Sequence, residues 1–306
     1  MLGYASKAVG QTCGVPNVSV IIATYNRSAV LRRAVESVWW QGFRDWELIV
    51  VGDGCTDDTA AVMASFDDPR IRFVNLPENF GDQSAPNNHG FTLSRGRYIA
   101  YLNHDDIWLP DHLERSLAFI EETGADLVYP LPINLDRHGR FGCYGVNEEL
   151  RFDPSFVLTA SYWVLRRSLI DDIGPWRAAT ATFAHTPSHE FLTRAWRARK
   201  ILRGFPAATV IVLPSGGRPD SYVTREAREQ EQLVACIRHD PNFREWMFSQ
   251  MIHFSAIPRP VTTLREATCA GCRRCLHSVR CADERLDDRP RPTSGRTVDF
   301  SGRGED

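Results

Sequence analysis

No run of apolar residues in this sequence approaches the roughly 18 that a membrane-spanning helix requires. The stretch "ATVIVLP" around Val210 is far too short. Strong charge of either sign is absent too. The formal net charge is −2, which offers no electrostatic attraction for nucleic acid or acidic lipid. The opening residues, "MLGYASKAVGQTCGVPN", lack the continuous apolar core of a signal peptide. The expected setting is therefore the cytoplasm, with the inner face of a membrane as the alternative. Two phosphate-binding signatures are also missing. There is no Gly-rich P-loop, and no Gly-x-Gly-x-x-Gly follows the first predicted strand, so neither a P-loop NTPase nor a dinucleotide dehydrogenase is supported. No internal repeat is present.

What is there suits a folded enzyme. A chain of 306 residues with 43% hydrophobic and 24% charged residues has material for an ample core. Four of the eight cysteines, Cys13, Cys55, Cys143 and Cys236, are scattered. The others, Cys269, Cys272, Cys275 and Cys281, cluster with His277 in "CAGCRRCLHSVRC". Such a group could hold zinc, but the spacing matches no established zinc or iron–sulfur pattern. A cysteine-bearing tail without structure is the simpler reading. From Asp283 on, the sequence is polar and rich in Arg, Asp, Pro and Gly, which predicts disorder.

Between these ends, strand and helix signals alternate. "VSVIIAT" (18–24) reads as a buried strand. "NRSAVLRRAVESVWWQ" (26–41) is helical by the spacing of Val30, Leu31, Ala34, Val35 and Val38, with Ser28 as N-cap and Gly42 as stop. "WELIVVG", "IRFVNL", "RYIAYLN" and "ADLVYP" predict further strands. "TDDTAAVMASF", a stretch from Asn87 to Gly96, and "PDHLERSLAFIEETG", with Pro110 at its start, predict the helices between them. Further on, "ASYWVLRRSLIDDIGPW" is a strand running into a short helix ended by Gly174, "PSHEFLTRAWRARK" is a helix and "AATVIVLP" a last strand. Residues 222–254 look helical and amphipathic, broken near Pro241. This alternation predicts an α/β fold with a mainly parallel sheet covered on both faces.

In such sheets ligands bind at the carboxyl ends of the strands. Three strands deliver polar groups there: Thr24, Tyr25 and Asn26 from the first, Asp53 and Gly54 from the second, and Asn103, Asp105 and Asp106 from the fourth. Asp53-Gly54 could be only a turn, and Thr56 or Asp57 only a helix cap. Asp105 and Asp106 are harder to assign to structure alone. Adjacent carboxylates at a buried edge repel and lose solvation unless something positive neutralises them. An oxygen-preferring divalent cation would do so, most usefully where phosphate oxygens complete its shell. That points to a nucleoside diphosphate or triphosphate.

The ordered segments "VSVIIATYNRSAVLRRAVESVWWQGFRDWELIVVGDGCTDDT", "GDQSAPNNHGFTLSRGRYIAYLNHDD" and "LRRSLIDDIGPWR" together resemble family 2 glycosyltransferases. The resemblance spans about Pro16 to Pro214. It implies the GT-A fold, a Rossmann-like sheet with a helical C-terminal extension here. It also implies a nucleotide-sugar donor (a UDP-sugar by default), one Mn²⁺ or Mg²⁺ ion and inversion at the anomeric carbon. By position it assigns Thr24, Tyr25 and Asn26 to base and ribose, Asp53 to the nucleobase, Asn88 to the donor and Asp105 to the metal. Asp106 would orient sugar or metal-bound water. The family's Asp-x-Asp falls on Asn103-His104-Asp105, so Asn103 replaces its first carboxylate and weaker metal binding is expected. Asn87 stands where many relatives carry Arg, so a cationic contact to the donor is missing.

The resemblance also calls for a carboxylate at the start of the helix before the last strand. Glu190 is the acidic residue there and the expected general base, with His189 or His185 as alternatives. A helix-capping role for Glu190 is the structural alternative. Arg194 and Arg197 would bind phosphate or brace the helix, and Trp163 and Trp196 would form core or acceptor wall. The expected organisation is an extension (1–15), a GT-A domain (16–214; donor half 16–106, acceptor half 107–214), a helical segment (215–260) and the tail (261–306). The acceptor would be a glycan or a lipid-linked sugar, in polysaccharide or cell-envelope synthesis. Two rival readings are a non-catalytic nucleotide-sugar or partner-binding relative and a nucleotidyltransferase. The latter would need glycines that "TYNRSAV" lacks.

Overall fold

The computed structural model describes residues 15–145, 147–179, 186–214 and 227–256, with side chains omitted for 253–256. The described residues all fall within one unit, Met1–Leu264, and a second, Arg265–Asp306, is set off from it. The second unit lies outside the described residues. So do Cys269, Cys272, Cys275, His277 and Cys281, and also His185.

The chain opens with β1 (Val18–Thr24), α1 (Ser28–Trp39), β2 (Trp46–Gly52), α2 (Thr59–Ala64), β3 (Ile71–Asn75), α3 (Ser84–Leu93) and β4 (Tyr98–Tyr101). Then come β5 (Ile107–Trp108), α4 (His112–Thr123), β6 (Leu127–Tyr129), β7 (Ile133–Leu135) and β8 (Phe141–Cys143). After a 3₁₀ turn, β9 (Val164–Arg166), α5 (Arg167–Ile173), α6 (Pro187–Arg197), β10 (Leu202–Gly204), β11 (Val210–Val212), α7 (Arg228–His239) and α8 (Phe243–Ala256) follow.

The main sheet has seven strands in the order β10-β6-β9-β4-β1-β2-β3. Neighbouring pairs are parallel except at β9, which runs antiparallel to both β4 and β6. The chain first builds outward from β1 to β3, then returns to lay β4 on the other side of β1. That reversal makes the carboxyl ends of β1 and β4 a topological switch point, where open α/β sheets bind ligands. A smaller sheet, β5-β11-β7-β8, starts directly after Asp106. It packs its own apolar cluster, including Ile107, Ile133, Phe141 and Ile211, with Leu233, Phe243 and Met247 of α7 and α8.

β1 and β2 are buried along nearly their whole length, as their unbroken β-branched runs predict. Val30, Leu31, Ala34, Val35 and Val38 face the core from α1. Gln41, at the end of that helix, is fully buried. Its amide donates to Leu109 O (2.8 Å) and accepts from Leu113 N (3.0 Å), tying α1 to α4.

Several boundaries differ from expectation. Ser28 is the first residue of α1 and not its cap; the N-cap is Arg27, in left-handed backbone. The helix end is satisfied from outside, since Asp57 accepts from Ser28 N (3.2 Å) and Asp58 from the Ser28 hydroxyl. α3 starts three residues earlier than Asn87, because Asp82 caps Ser84 N (2.7 Å) and Pro86 is tolerated in a first turn. α4 starts after Pro110, whose carbonyl instead accepts from Gly42 N (2.8 Å). β5, β7, β8 and β10 have two or three residues each, too short to show a period.

Candidate active site

β1 ends in two successive left-handed residues, Asn26 (φ 50°) and Arg27 (φ 71°). This bend turns both side chains inward. Asn26 Oδ1 accepts from the backbone N–H of Thr56 (2.9 Å) and Asp57 (3.2 Å), clamping β1 to the loop after β2. Thr24 is buried beneath and donates weakly to Asn26 O (3.5 Å), while Tyr25 points outward and is over a third exposed. Within the β2 loop, Gly54 has φ 71°, and a Cβ there would meet the backbone of Glu78 at 2.6 Å. Only glycine fits this turn.

Asp53, at the end of β2, is buried. Its carboxylate accepts from Phe80 N (3.1 and 3.2 Å) and Gly81 N (3.3 Å). Burial is the main influence on its pKa and pushes it up; the two N–H groups work against that. Asp53 therefore fixes residues 79–82, and Asp82 passes the connection on. One Asp82 oxygen caps α3, and the other accepts from Ala179 N (2.8 Å).

Arg27 is the positive group beside the paired carboxylates. Its side chain is only 5% exposed, and Nη1 lies 3.1 Å from Asp105 Oδ2 and 3.1 Å from His104 Nε2. A guanidinium only donates, so His104 Nε2 accepts, and its Nδ1–H faces Ala23 O at 3.3 Å. Burial lowers the pKa of His104, in keeping with this neutral tautomer; Asp105 opposes the shift.

Asp106 has a different environment. Its Oδ1 accepts from Leu213 N (2.8 Å), just after β11, and its Oδ2 from Asn103 Nδ2 (3.1 Å) and the Ser161 hydroxyl. Burial above all, and then the charge of Asp105, push its pKa up to about 7. Asp106 thus joins β4, the turn before β9 and the end of β11. Ser161, Leu213 and Arg27 had no sequence-level assignment. Arg27 could have been found, since it follows the last polar residue of a strand at the ligand-binding edge. Ser161 could not, because its approach depends on β9 inserting between β4 and β6.

Asn88 and Glu190, expected at the donor and the acceptor, both have protein partners. Asn88 Nδ2 donates to Trp176 O (2.9 Å), and its Oδ1 accepts from Trp176 N (2.9 Å). Thr186 caps α6, accepting from His189 N (3.4 Å), and Glu190 lies in the first turn. Both Glu190 oxygens are held by Arg194 (2.9 and 3.0 Å), and Arg177 stands 3.4 Å from Oε1. Arg194 also donates to the carbonyls of Ile173, Gly174 and Pro175, so it braces α6 against α5. His189 is buried beside Glu190, whereas Arg197 and Trp196 are exposed. Trp163 is core, stacked on Trp176 (5.4 Å) and Phe191 (5.7 Å).

Among the described residues, no three His, Cys, Asp or Glu side chains gather into a metal cluster. The donor set at Asp105 still suits an oxygen-preferring divalent cation. It offers a carboxylate with one oxygen beyond the Arg27 pair, no thiolate, and an imidazole already accepting from Arg27. Phosphate oxygens would have to complete the shell.

The family model described as "Glycosyl transferase family 2" matches residues 19–174. Among curated proteins, the succinoglycan biosynthesis protein ExoO of Rhizobium meliloti is 38% identical over 113 residues, 37% of this chain and 32% of the relative. The putative teichuronic acid biosynthesis glycosyltransferase TuaG of Bacillus subtilis is 39% identical over 109 residues, 35% of this chain and 43% of the relative. The matched region thus spans less than half of each of these relatives. Among solved structures, S. aureus TarS 1–349 in complex with UDP-GlcNAc has a TM-score of 0.55 at 19% identity, covering 78% of this chain and 73% of that one. The mannosyltransferase PcManGT of Pyrobaculum calidifontis, in complex with GDP-Man and Mn²⁺, has a TM-score of 0.55 at 17% identity, covering 78% and 69%. At these identities the structural likeness carries the fold.

Proposed function

Because this chain belongs to glycosyl transferase family 2, we propose that it moves a sugar from a nucleoside-diphosphate donor to an acceptor hydroxyl, with inversion, in polysaccharide or cell-envelope synthesis. The observation that carries this reading is the buried pairing of Arg27 with Asp105 at the ends of β1 and β4, on the switch-point edge where Asp53 also ends β2. The names of the relatives support the polymer class, and the UDP-GlcNAc complex of TarS supports UDP as the first donor to try.

Thr24, Tyr25 and Asn26 would shape the nucleoside pocket, with Asp53 and its loop 79–82 on the far wall. Asn103 and Asp106 would hold the β4 end in place. Asp105 would hold one Mn²⁺ or Mg²⁺ ion, which when bound supplies positive charge for the leaving diphosphate. Inversion is a single displacement, so a base must take the acceptor proton from the face opposite the leaving group. Glu190 is the proposed carboxylate. A second reading follows from its double pairing with Arg194: Glu190 braces α6, and His189 takes the proton.

The test is binding of UDP and GDP by calorimetry with Mn²⁺, followed by release of nucleoside diphosphate from UDP- and GDP-sugars. Asp105→Ala is expected to lower Mn²⁺-dependent binding at least about tenfold, the scale of one charge-assisted contact. Binding and release unchanged in Asp105→Ala would remove the site from this edge. Binding without release in the wild type would favour the non-catalytic, nucleotide-sugar-binding relative.

A further inference from the structure

Arg27 has no role in the function proposed above beyond its pairing, yet its position is unusual. Two consecutive left-handed residues are needed to place it, and non-glycine residues adopt that backbone at a cost. Arg27 is the N-cap of α1, at the positive end of that helix where a cation is disfavoured, and its side chain is buried. The contacts holding it there include Asp105, the carboxylate assigned to the metal, and a neutral imidazole.

We propose that Arg27 is a resident counter-ion of Asp105 that changes partner when the donor binds, its guanidinium passing from the carboxylate to the donor's diphosphate. This rests on the function proposed above and assigns Arg27 as a cationic contact to the donor. The physical reason is competition for one carboxylate. A divalent cation approaching Asp105 meets a positive group already paired with it, and like charges in a buried site repel strongly. A diphosphate removes the conflict, because the planar guanidinium fork matches phosphate oxygens as well as it matches a carboxylate. Metal and nucleotide should therefore bind with positive coupling, each raising the affinity of the other by the same factor.

The test uses the full chain, with Mn²⁺ alone read by electron paramagnetic resonance and UDP alone read by calorimetry. Circular dichroism monitors folding. In Arg27→Gln, Mn²⁺ binding without nucleotide should tighten roughly tenfold, and UDP binding without metal should weaken roughly tenfold. The coupling between them should shrink accordingly. Arg27→Lys keeps the charge without the fork and should fall between the two. Asp105→Asn frees the guanidinium without touching Arg27, so metal-free UDP affinity should rise; this variant carries the test if Arg27→Gln does not fold. Unchanged Mn²⁺ and UDP affinities in a folded Arg27→Gln, or a fall in UDP affinity in Asp105→Asn, would overturn the proposal. Wild-type protein that binds neither UDP nor GDP overturns the functional reading itself. Binding by wild type with no response to Arg27 overturns only the exchange.

Discussion

Single side chains at this sheet edge differ in what they leave available for chemistry. Glu190 is the clearest case: both oxygens are held by Arg194, with side-chain exposures of only 9% and 13% for the two partners. If it serves as base, Glu190→Gln should abolish product formation in protein that still folds and binds UDP near wild-type affinity. If it is a brace, the same change leaves Arg194 partly buried without its counter-charge. That should cost about 2 kcal/mol, somewhat below the value for a fully buried pair. Transfer rate and melting temperature measured on the same sample separate the two roles.

His112 provides a test of burial that is independent of function. It is wholly buried against Trp108, with Nδ1 2.9 Å from Thr209 Oγ1, and burial pushes its pKa down to about 3. The unfolded chain takes up this proton near pH 6.5 and the folded chain does not, so folding releases it. The contribution is complete above about pH 6.5 and is lost as pH falls toward 3, by about 1.4 kcal/mol per pH unit. Denaturant unfolding at pH 4, 5, 6 and 7 should show that component of the slope in wild type and its absence in His112→Gln.

Among elements, the helix ends show best what a linear reading can and cannot supply. The interior of α1 was legible from Val30 to Val38, because the spacing of apolar residues reflects which face is buried. Its N-terminus was not, because the capping groups, Asp57 and Asp58, come from another loop. Asp57 also accepts from Thr59 N (3.1 Å), so one carboxylate serves two helix ends. Asp57→Ala should therefore destabilise by about 1–2 kcal/mol, at the upper part of the range for a lost cap, as measured by urea unfolding. The same contrast holds at the site. That Thr24, Asp53 and Asp105 stand at the sheet's carboxyl edge was legible because strand ends announce themselves. Arg194, one turn beyond Glu190 on the same helix, was legible as a brace, whereas Trp176 and Arg177, which engage Asn88 and Glu190 from outside their helices, were not.

At the scale of the whole molecule, the parallel core of the main sheet could be anticipated from alternating strands and helices, while the smaller sheet, built from two- and three-residue strands, could not. The smaller sheet bears on the proposed site because β5 starts one residue after Asp106 and β11 ends one residue before Leu213, the two groups joined across its edge. Donor binding should tighten this junction. A thermal-shift screen of UDP-, GDP- and other nucleotide sugars with Mn²⁺ is expected to single out one base. A ligand present at a hundredfold its dissociation constant should add about 2.7 kcal/mol. A uniform response to all bases would argue against Asp53 and its loop as the base-reading wall.

β9 has one further consequence, which concerns the order in which the chain is made. The strand sits antiparallel between β4 and β6, so until residues 164–166 leave the ribosome the inner edges of both neighbours lie open. During that interval of some 35 residues after β6, the emerging polypeptide carries two apolar strand edges able to pair with another chain. Inserting β9 and bringing Ser161 to Asp106 are then one event, because Ser161 stands three residues before β9. A nascent chain that has not yet inserted β9 therefore cannot hold the β4 end in its final place, and two later arrivals finish the work: β10 covers the other edge of β6, and Leu213 supplies the last donor to Asp106.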